Sequence, residues 1–346
     1  MTRSVWAWVR VLGGAAILAL LAWRLGTGAF LDGLRVIDGG TLLAAFGIGV
    51  ATTVLSAWRW CLVARGLGLR LPLGAAIADY YRALFLNAAL PGGVLGDVDR
   101  AVRHGRDEGD VGRGVRAVVL ERTAGQIVLF AVGVTVLFTV PSPVFTQLER
   151  HGPVIALTGS AVAAAAVAVL LTGRRLRRGS SRAARAARTG IREIRTGLLA
   201  RRNWPGIVLA STVVLAGHLA TFVVAARAAG SSASLLHLAP LILLALLAMT
   251  VPLNVGGWGP REGVTAWAFG AAGLSATQGL TIAVVYGLCA FVAALPGAVV
   301  LLARGVARIR SRASATPAAV LSEAVEIREP VHLPAPAARV LAHSGA

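Results

Sequence analysis

The chain contains no lysine: every one of its 34 basic residues is arginine. Charge of either sign is scarce, at 14% of 346 residues with only 15 acidic side chains. A soluble domain carries roughly 25% charged residues, so the composition argues against one. Cysteine is nearly absent. Cys61 and Cys289 stand far apart in apolar stretches, which excludes a disulfide framework or a zinc site and leaves two packing thiols. No nucleophile motif, no His/Glu/Cys cluster at metal-ligand spacing and no phosphate-cradling Gly loop with Lys is present. The expectation is therefore a non-enzyme with no catalytic residue, no metal and no cofactor. Nucleic acid is not an expected partner either, because no RNA- or DNA-binding motif accompanies the basic runs.

What the chain does have is apolar length. Hydrophobic residues make up 56% of it and the mean hydropathy is +0.74. Full-length apolar segments lie at 5–23, 41–64, 118–140, 153–173, 204–229, 236–258 and 277–303, and shorter ones broken by Gly and Pro at 73–95 and 263–275. A membrane-spanning helix needs about 20 apolar residues. Backbone at membrane depth must satisfy its own hydrogen bonds, so these blocks read as helices. Their Gly and Ala content suits close helix packing in lipid. The expected fold is all-α: a polytopic helical membrane bundle of seven or eight spans, with the broken segments spanning or re-entering. The first block, with Trp6, Trp8 and Trp23 as interfacial anchors and no convincing cleavage site, reads as a span and not a signal peptide.

Arginine is concentrated in alternate connections. It crowds 65–117, 174–202 and the stretch after the last span, while the intervening loops are nearly bare. The positive-inside rule then places both termini in the cytoplasm of a multi-pass cell-membrane protein. Residues 1–305 read as the membrane domain and 306–346, rich in Ala, Pro and Ser, as a disordered cytoplasmic tail. The run Arg174–Arg202 is either a topology signal or an amphipathic helix on the anionic inner leaflet, with Ile191, Ile194, Leu198 and Leu199 toward lipid. The exclusive use of Arg reflects either a GC-rich genome or a preference for the guanidinium fork, which grips phosphate better than ammonium.

Chemistry is concentrated at two breaks. Asn87 precedes Pro91, Gly92, Gly93, Gly96, Asp97 and Arg100; Pro252 precedes Gly256, Gly257, Gly259, Arg261 and Glu262. Both end an apolar run with Pro and a Gly pair, then set an acid beside an arginine. Interrupted helices in two halves of a chain point to a transporter binding site. Freed N–H groups can hold an anionic headgroup while arginine neutralises its phosphate; two ordinary interfacial turns are the alternative. Glu121-Arg122 opens an otherwise apolar helix, and intramembrane charges either pair structurally or mark function. Arg59, between Trp58 and Trp60, either joins this group or snorkels between two aromatic anchors. His218, alone in mid-span, is either a helix–helix hydrogen-bonding residue, the reading favoured for a lone histidine, or a proton carrier.

Arg59-Trp60, the run from Asn87 through Pro91-Gly92 and Gly96-Asp97 to Arg100, Glu121-Arg122, and Val251-Pro252 through Gly256-Gly257 and Gly259 to Arg261-Glu262 occur in that order. Together they resemble the lysylphosphatidylglycerol synthase-type transmembrane, or flippase-like, family across roughly residues 5–305. That resemblance implies a helical bundle with broken segments, and movement of aminoacylated phosphatidylglycerol in bifunctional members. Those members add a cytoplasmic aminoacyl-transferase domain that this sequence does not resemble, so no synthase activity is expected. Where the family carries Gly before Gly-Asp, this chain has Leu95.

The functional expectation is binding or translocation of an anionic or aminoacylated phospholipid, or a related lipid-linked substrate. Arg59, Arg100, Arg122 and Arg261 would attract the headgroup. Asp97, Glu121 and Glu262 would pair with them or meet a cationic moiety, with Asn87 beside them. Pro91, Gly92, Gly93, Gly96, Pro252, Gly256, Gly257 and Gly259 would shape the breaks. The alternative is a non-catalytic membrane partner for a lipid- or glycan-modifying enzyme.

Overall fold

A computed structural model describes residues 12, 16–25, 27–90, 93–140, 182–250, 258–307 and 310. The expected span at 153–173, most of the first block, the tail beyond 310, and Pro91, Gly92, Pro252, Gly256 and Gly257 lie outside the described residues. Contacts group the chain into two units, Met1–Val300 and Leu301–Ala346, and the description below concerns the first.

The bundle is helical throughout the described residues. In chain order its helices are α1 (Ala16–Leu25), α2 (Gly28–Arg35), α3 (Gly39–Gly66), α4 (Leu73–Ala89), α5 (Leu95–Asp107), α6 (Val111–Thr139), α7 (Arg182–Gly197), α8 (Trp204–Ala228), α9 (Leu235–Ala248), α10 (Pro260–Ala271) and α11 (Ala276–Ala294). Among the described residues four helices are long and apolar enough to cross a membrane: α3, α6, α8 and the apolar stretch Ala276–Ala307 that α11 opens. The chain is a polytopic helical membrane protein.

Local chemistry sets the helix starts. Asp38 Oδ1 accepts from the Thr41 N–H at 2.6 Å, and Asp110 Oδ1 from that of Arg113 at 2.8 Å. Each satisfies one of the donors a helix N-terminus leaves unpaired. Ser234 and Ser275 do the same for α9 and α11. The boundaries depart from the apolar pattern in two places. The 236–258 stretch forms only a 14-residue helix, α9, before residue 250, which at 1.5 Å per residue falls short of a bilayer core. Helix α6 begins seven residues before the apolar run at 118, because Asp110 caps it there and its first turns lie over α5.

Packing follows small residues. α3 lies along α8, with Gly217 against Thr52 and Gly206 against Leu62. α11 meets α3 where Gly49 faces Ala293. Without a hydrophobic drive inside lipid, such close approach supplies the dispersion energy that holds helices together. The main core gathers Leu238, Leu241, Leu243 and Ile242 of α9 with Phe222, Phe269 and Tyr286. The opposite surface is apolar too. On α6, Ile127, Phe130, Val134 and Phe138 form an exposed stripe at helical spacing, as expected for a lipid-facing side.

Helix α7 packs on α3 and α6 and is tied by Arg116 Nε to Glu193 Oε2 at 2.6 Å. Ile194 and Leu199 are exposed, as the leaflet reading expected, but Leu198 is buried beside Leu67 and Leu120. The helix needed an anchor to the bundle, and Leu198 supplies it.

Candidate functional site

The two breaks, far apart in sequence, open on one cavity. It encloses about 410 Å³, and Asn87 and Gly93 from the first break line it together with Trp258 and Arg261 from the second. Every residue of its lining belongs to the Met1–Val300 unit.

At the first break, α4 stops at Ala89 and the chain turns through Gly93, whose φ of +60° disfavours any side chain. Asn87 closes the gap from below. Its Oδ1 accepts from the Gly96 N–H at 2.8 Å, and its Nδ2 donates to Asp97 Oδ2 at 3.0 Å. Asn87 therefore caps α5 across the break, a task that Val94 at the cap position has no side chain to perform. Gly96 lies against the Ala83 backbone, where a Cβ would collide with the carbonyl. Leu95 is the first residue of α5 and is exposed, so its side chain meets no obstruction.

Behind the break lies a charge network. Glu121 is fully buried on α6. Its Oε1 accepts from Arg59 Nε at 3.0 Å and Nη2 at 2.5 Å, and its Oε2 from Arg100 Nη2 at 2.7 Å. Arg100 Nε donates to Asp97 Oδ1 at 2.9 Å. Asp97 also takes two bonds from Arg122 Nη2, at 2.8 and 2.7 Å. The chain Arg59–Glu121–Arg100–Asp97–Arg122 holds three guanidiniums and two carboxylates, one positive charge in excess. Burial opposes the ionised form of Asp97, but Arg122 and Arg100 outweigh it and hold the carboxyl down to about 2. Arg100 also lies 4.4 Å from the Tyr80 ring and 4.7 Å from that of Trp60, where the aromatic faces offset part of the cost of burying a cation.

Arg59 does not snorkel. It is 5% exposed, with Nη1 donating to Ser211 Oγ at 3.0 Å, and Trp60 beside it is wholly buried. The guanidinium lies among helices and is neutralised there by Glu121, since a buried charge must be paired. Gly125 makes room for it: a Cβ there would stand 3.0 Å from Arg59 Nη1.

The second break ends at Gly259, with φ of +121°, and Pro260 opens α10. Glu262 Oε2 accepts from the Gly259 N–H at 2.7 Å, while its Oε1 holds Arg261 through Nε and Nη2. Glu262 is thus a helix cap and a counter-ion at once, in the first turn where the helix dipole favours an anion. The Arg261 guanidinium sits 5.2 Å from the rings of both Trp258 and Tyr286. Gly287 leaves the space it occupies, since a Cβ there would collide with Arg261 Nη2 and crowd Trp258.

The arrangement has a clear polarity. Arg59, Arg122 and Arg261 line the cavity, whereas their carboxylates Glu121, Asp97 and Glu262 stand behind them and do not. Arg122 is the most open of the three, with 40% of its side chain exposed. Arg100 sits deeper, within the network. Asn87 and Gly93 are on the wall, Gly96 and Gly259 are not. The sequence did not single out Tyr80, Gly125, Ser211, Trp258, Tyr286 or Gly287. Nothing in their local pattern distinguishes them from ordinary packing residues; only Trp258, beside the second motif, had a positional signal. His218 also lines the cavity, with Nδ1 3.1 Å from Tyr286 Oη, which bears out the helix–helix hydrogen bond expected of it. Among the described residues no group of three or more His, Cys, Asp and Glu could hold a metal ion. Cys61 and Cys289 are free and buried.

The sequence matches the family described as the lysylphosphatidylglycerol synthase TM region over residues 7–297. That is most of the chain, and the protein belongs to this family. A search of curated proteins finds no match to it.

Proposed function

We propose that this protein binds the headgroup of an anionic or aminoacylated phospholipid in the shared cavity and moves it across the cytoplasmic membrane. One observation carries the reading: the cavity wall presents Arg59, Arg122 and Arg261 while the balancing carboxylates lie behind it. Guanidinium forks suit the geometry of phosphate oxygens, and partial burial strengthens their pull. The apolar half of the lining, including Leu84, Leu129, Leu215 and Phe291, suits the start of the acyl chains. Membership of a family named for a phospholipid agrees with a lipid substrate. The basic α7, with Arg192 and Arg195 beside exposed Ile194, would hold the bundle to an anionic leaflet.

The test is lipid movement in proteoliposomes carrying fluorescent phosphatidylglycerol, its aminoacylated form, and a neutral lipid, read by quenching the outer leaflet. Selective acceleration for the anionic or aminoacylated lipid, lost in Arg122→Gln, is the expected result. Folded protein that moves no lipid, with or without a proton gradient, overturns translocation. The same protein would then be examined for capture of a lipid- or glycan-modifying enzyme through the 174–202 run, the rival role.

A further inference from the structure

The cavity wall carries one imidazole, that of His218, and among the described residues no ion pair engages it. His218 lies in the middle of α8 on the cavity wall, with Nδ1 against Tyr286 Oη. Tyr286 is itself fixed: its ring stacks on Phe222 at 4.0 Å and lies under the Arg261 guanidinium. The other charged or titratable residues facing this space are Arg59 from α3, Tyr80 from α4, Arg122 from α6, Arg261 from α10, and Tyr286 and Cys289 from α11. The helix α9, also packed on α8, contributes Leu246 to the wall, and Met249 and Thr250 just past its end add no charge. No carboxylate is among the lining residues.

We infer that His218 is a ligand-linked proton site, so that an anionic phospholipid enters this cavity together with a proton. The inference rests on the anionic-lipid reading above and adds the coupling to it. With the cavity empty, the imidazole faces three guanidiniums and an excess positive charge, and a further cation there is opposed by direct repulsion at low dielectric. A phosphodiester brings one negative charge into the same space and removes that opposition. With Nδ1–H donating to Tyr286 Oη, Nε2 takes a proton from water and the imidazolium faces the anion. Linkage is reciprocal: if the lipid raises proton affinity, acid raises lipid affinity by the same factor. A histidine is the side chain whose ordinary range makes such coupling usable near neutrality. The proton also reduces the charge carried through the bilayer and gives a proton gradient a means of biasing lipid movement. The chain holds no nucleotide-binding motif that would do so.

The experiment uses wild-type protein in nanodiscs of phosphatidylcholine, titrated calorimetrically with short-chain phosphatidylglycerol near pH 6.5. The titration is done in two buffers of different ionisation enthalpy, neither of them phosphate. The expected result is a heat difference corresponding to uptake of about one proton per lipid bound, with affinity falling toward tenfold per pH unit on the alkaline side. In His218→Gln the heats in the two buffers should converge and the pH dependence flatten, while lipid still binds. Saturable binding with equal heats for the wild type overturns the inference and leaves the lipid reading standing. Proton uptake that persists in His218→Gln overturns the assignment to this residue. Absence of binding at every pH overturns the lipid reading and, with it, the coupling.

Discussion

Glu121 and Arg59 stand 62 positions apart and meet in the interior through two hydrogen bonds to one carboxylate oxygen, at 3.0 and 2.5 Å. The other oxygen holds Arg100. One carboxylate on α6 therefore fixes guanidiniums from α3 and α5, and it does so with no exposure of its own. Removing it strands Arg59 and leaves Arg100 with Asp97 as its remaining carboxylate. Glu121→Ala should cost about 3–5 kcal/mol of stability, the range for breaking a buried ion pair from one side. Thermal unfolding in detergent would show it as a large drop in midpoint. A loss below about 1 kcal/mol would mean that water reaches the network.

Asn87 is a capping residue reached across a chain break. Asn87→Ala leaves the Gly96 N–H without its acceptor and Asp97 without one donor, a loss of about 1–2 kcal/mol. Because α5 is the element affected, amide exchange should rise in Gly96–Arg100 and not in α8. Uniform change across the bundle would contradict this local role.

Gly287 exists for Arg261. Gly287→Ala puts a methyl group against Arg261 Nη2 and the Trp258 ring. The guanidinium is the more movable of the two, so it should be displaced from its position over Tyr286. The expected outcome is a fold-loss in phosphatidylglycerol binding of about tenfold with a midpoint shift of only a few degrees. An equal loss in both would assign the glycine to packing alone.

Asp97 gives the bundle a defined acid limit. Its folded-state carboxyl is held down to about 2, below the ordinary 3.8. A depressed carboxyl stabilises the fold above its unfolded value and loses that contribution as pH falls through the folded one. The window is therefore about pH 4 to 2, and the amount about 2 kcal/mol. Stability of the wild type should fall across that window more steeply than that of Asp97→Asn, which has no proton to gain there.

That this is a multi-helix membrane protein is legible in the sequence, because apolar runs of span length have one stable form in lipid. The sequence also located both breaks and the charged residues beside them, since Gly, Pro and paired charges stand out against an apolar background. It could not say that Arg59 is buried, because a guanidinium flanked by tryptophans reads the same whether it reaches the surface or a partner on another helix. Nor could it say that α9 ends at Ala248, since the apolar residues continue past the point where the helix stops. The tertiary structure alone decided which charges face the cavity. Glu121, Asp97 and Glu262 were equal candidates with the arginines until helix packing turned the carboxylates inward and the guanidiniums to the wall. That division is set by the rotation of each helix against its neighbours, through contacts such as Gly125 on Arg59 and Gly287 on Arg261. A one-dimensional pattern carries no record of it.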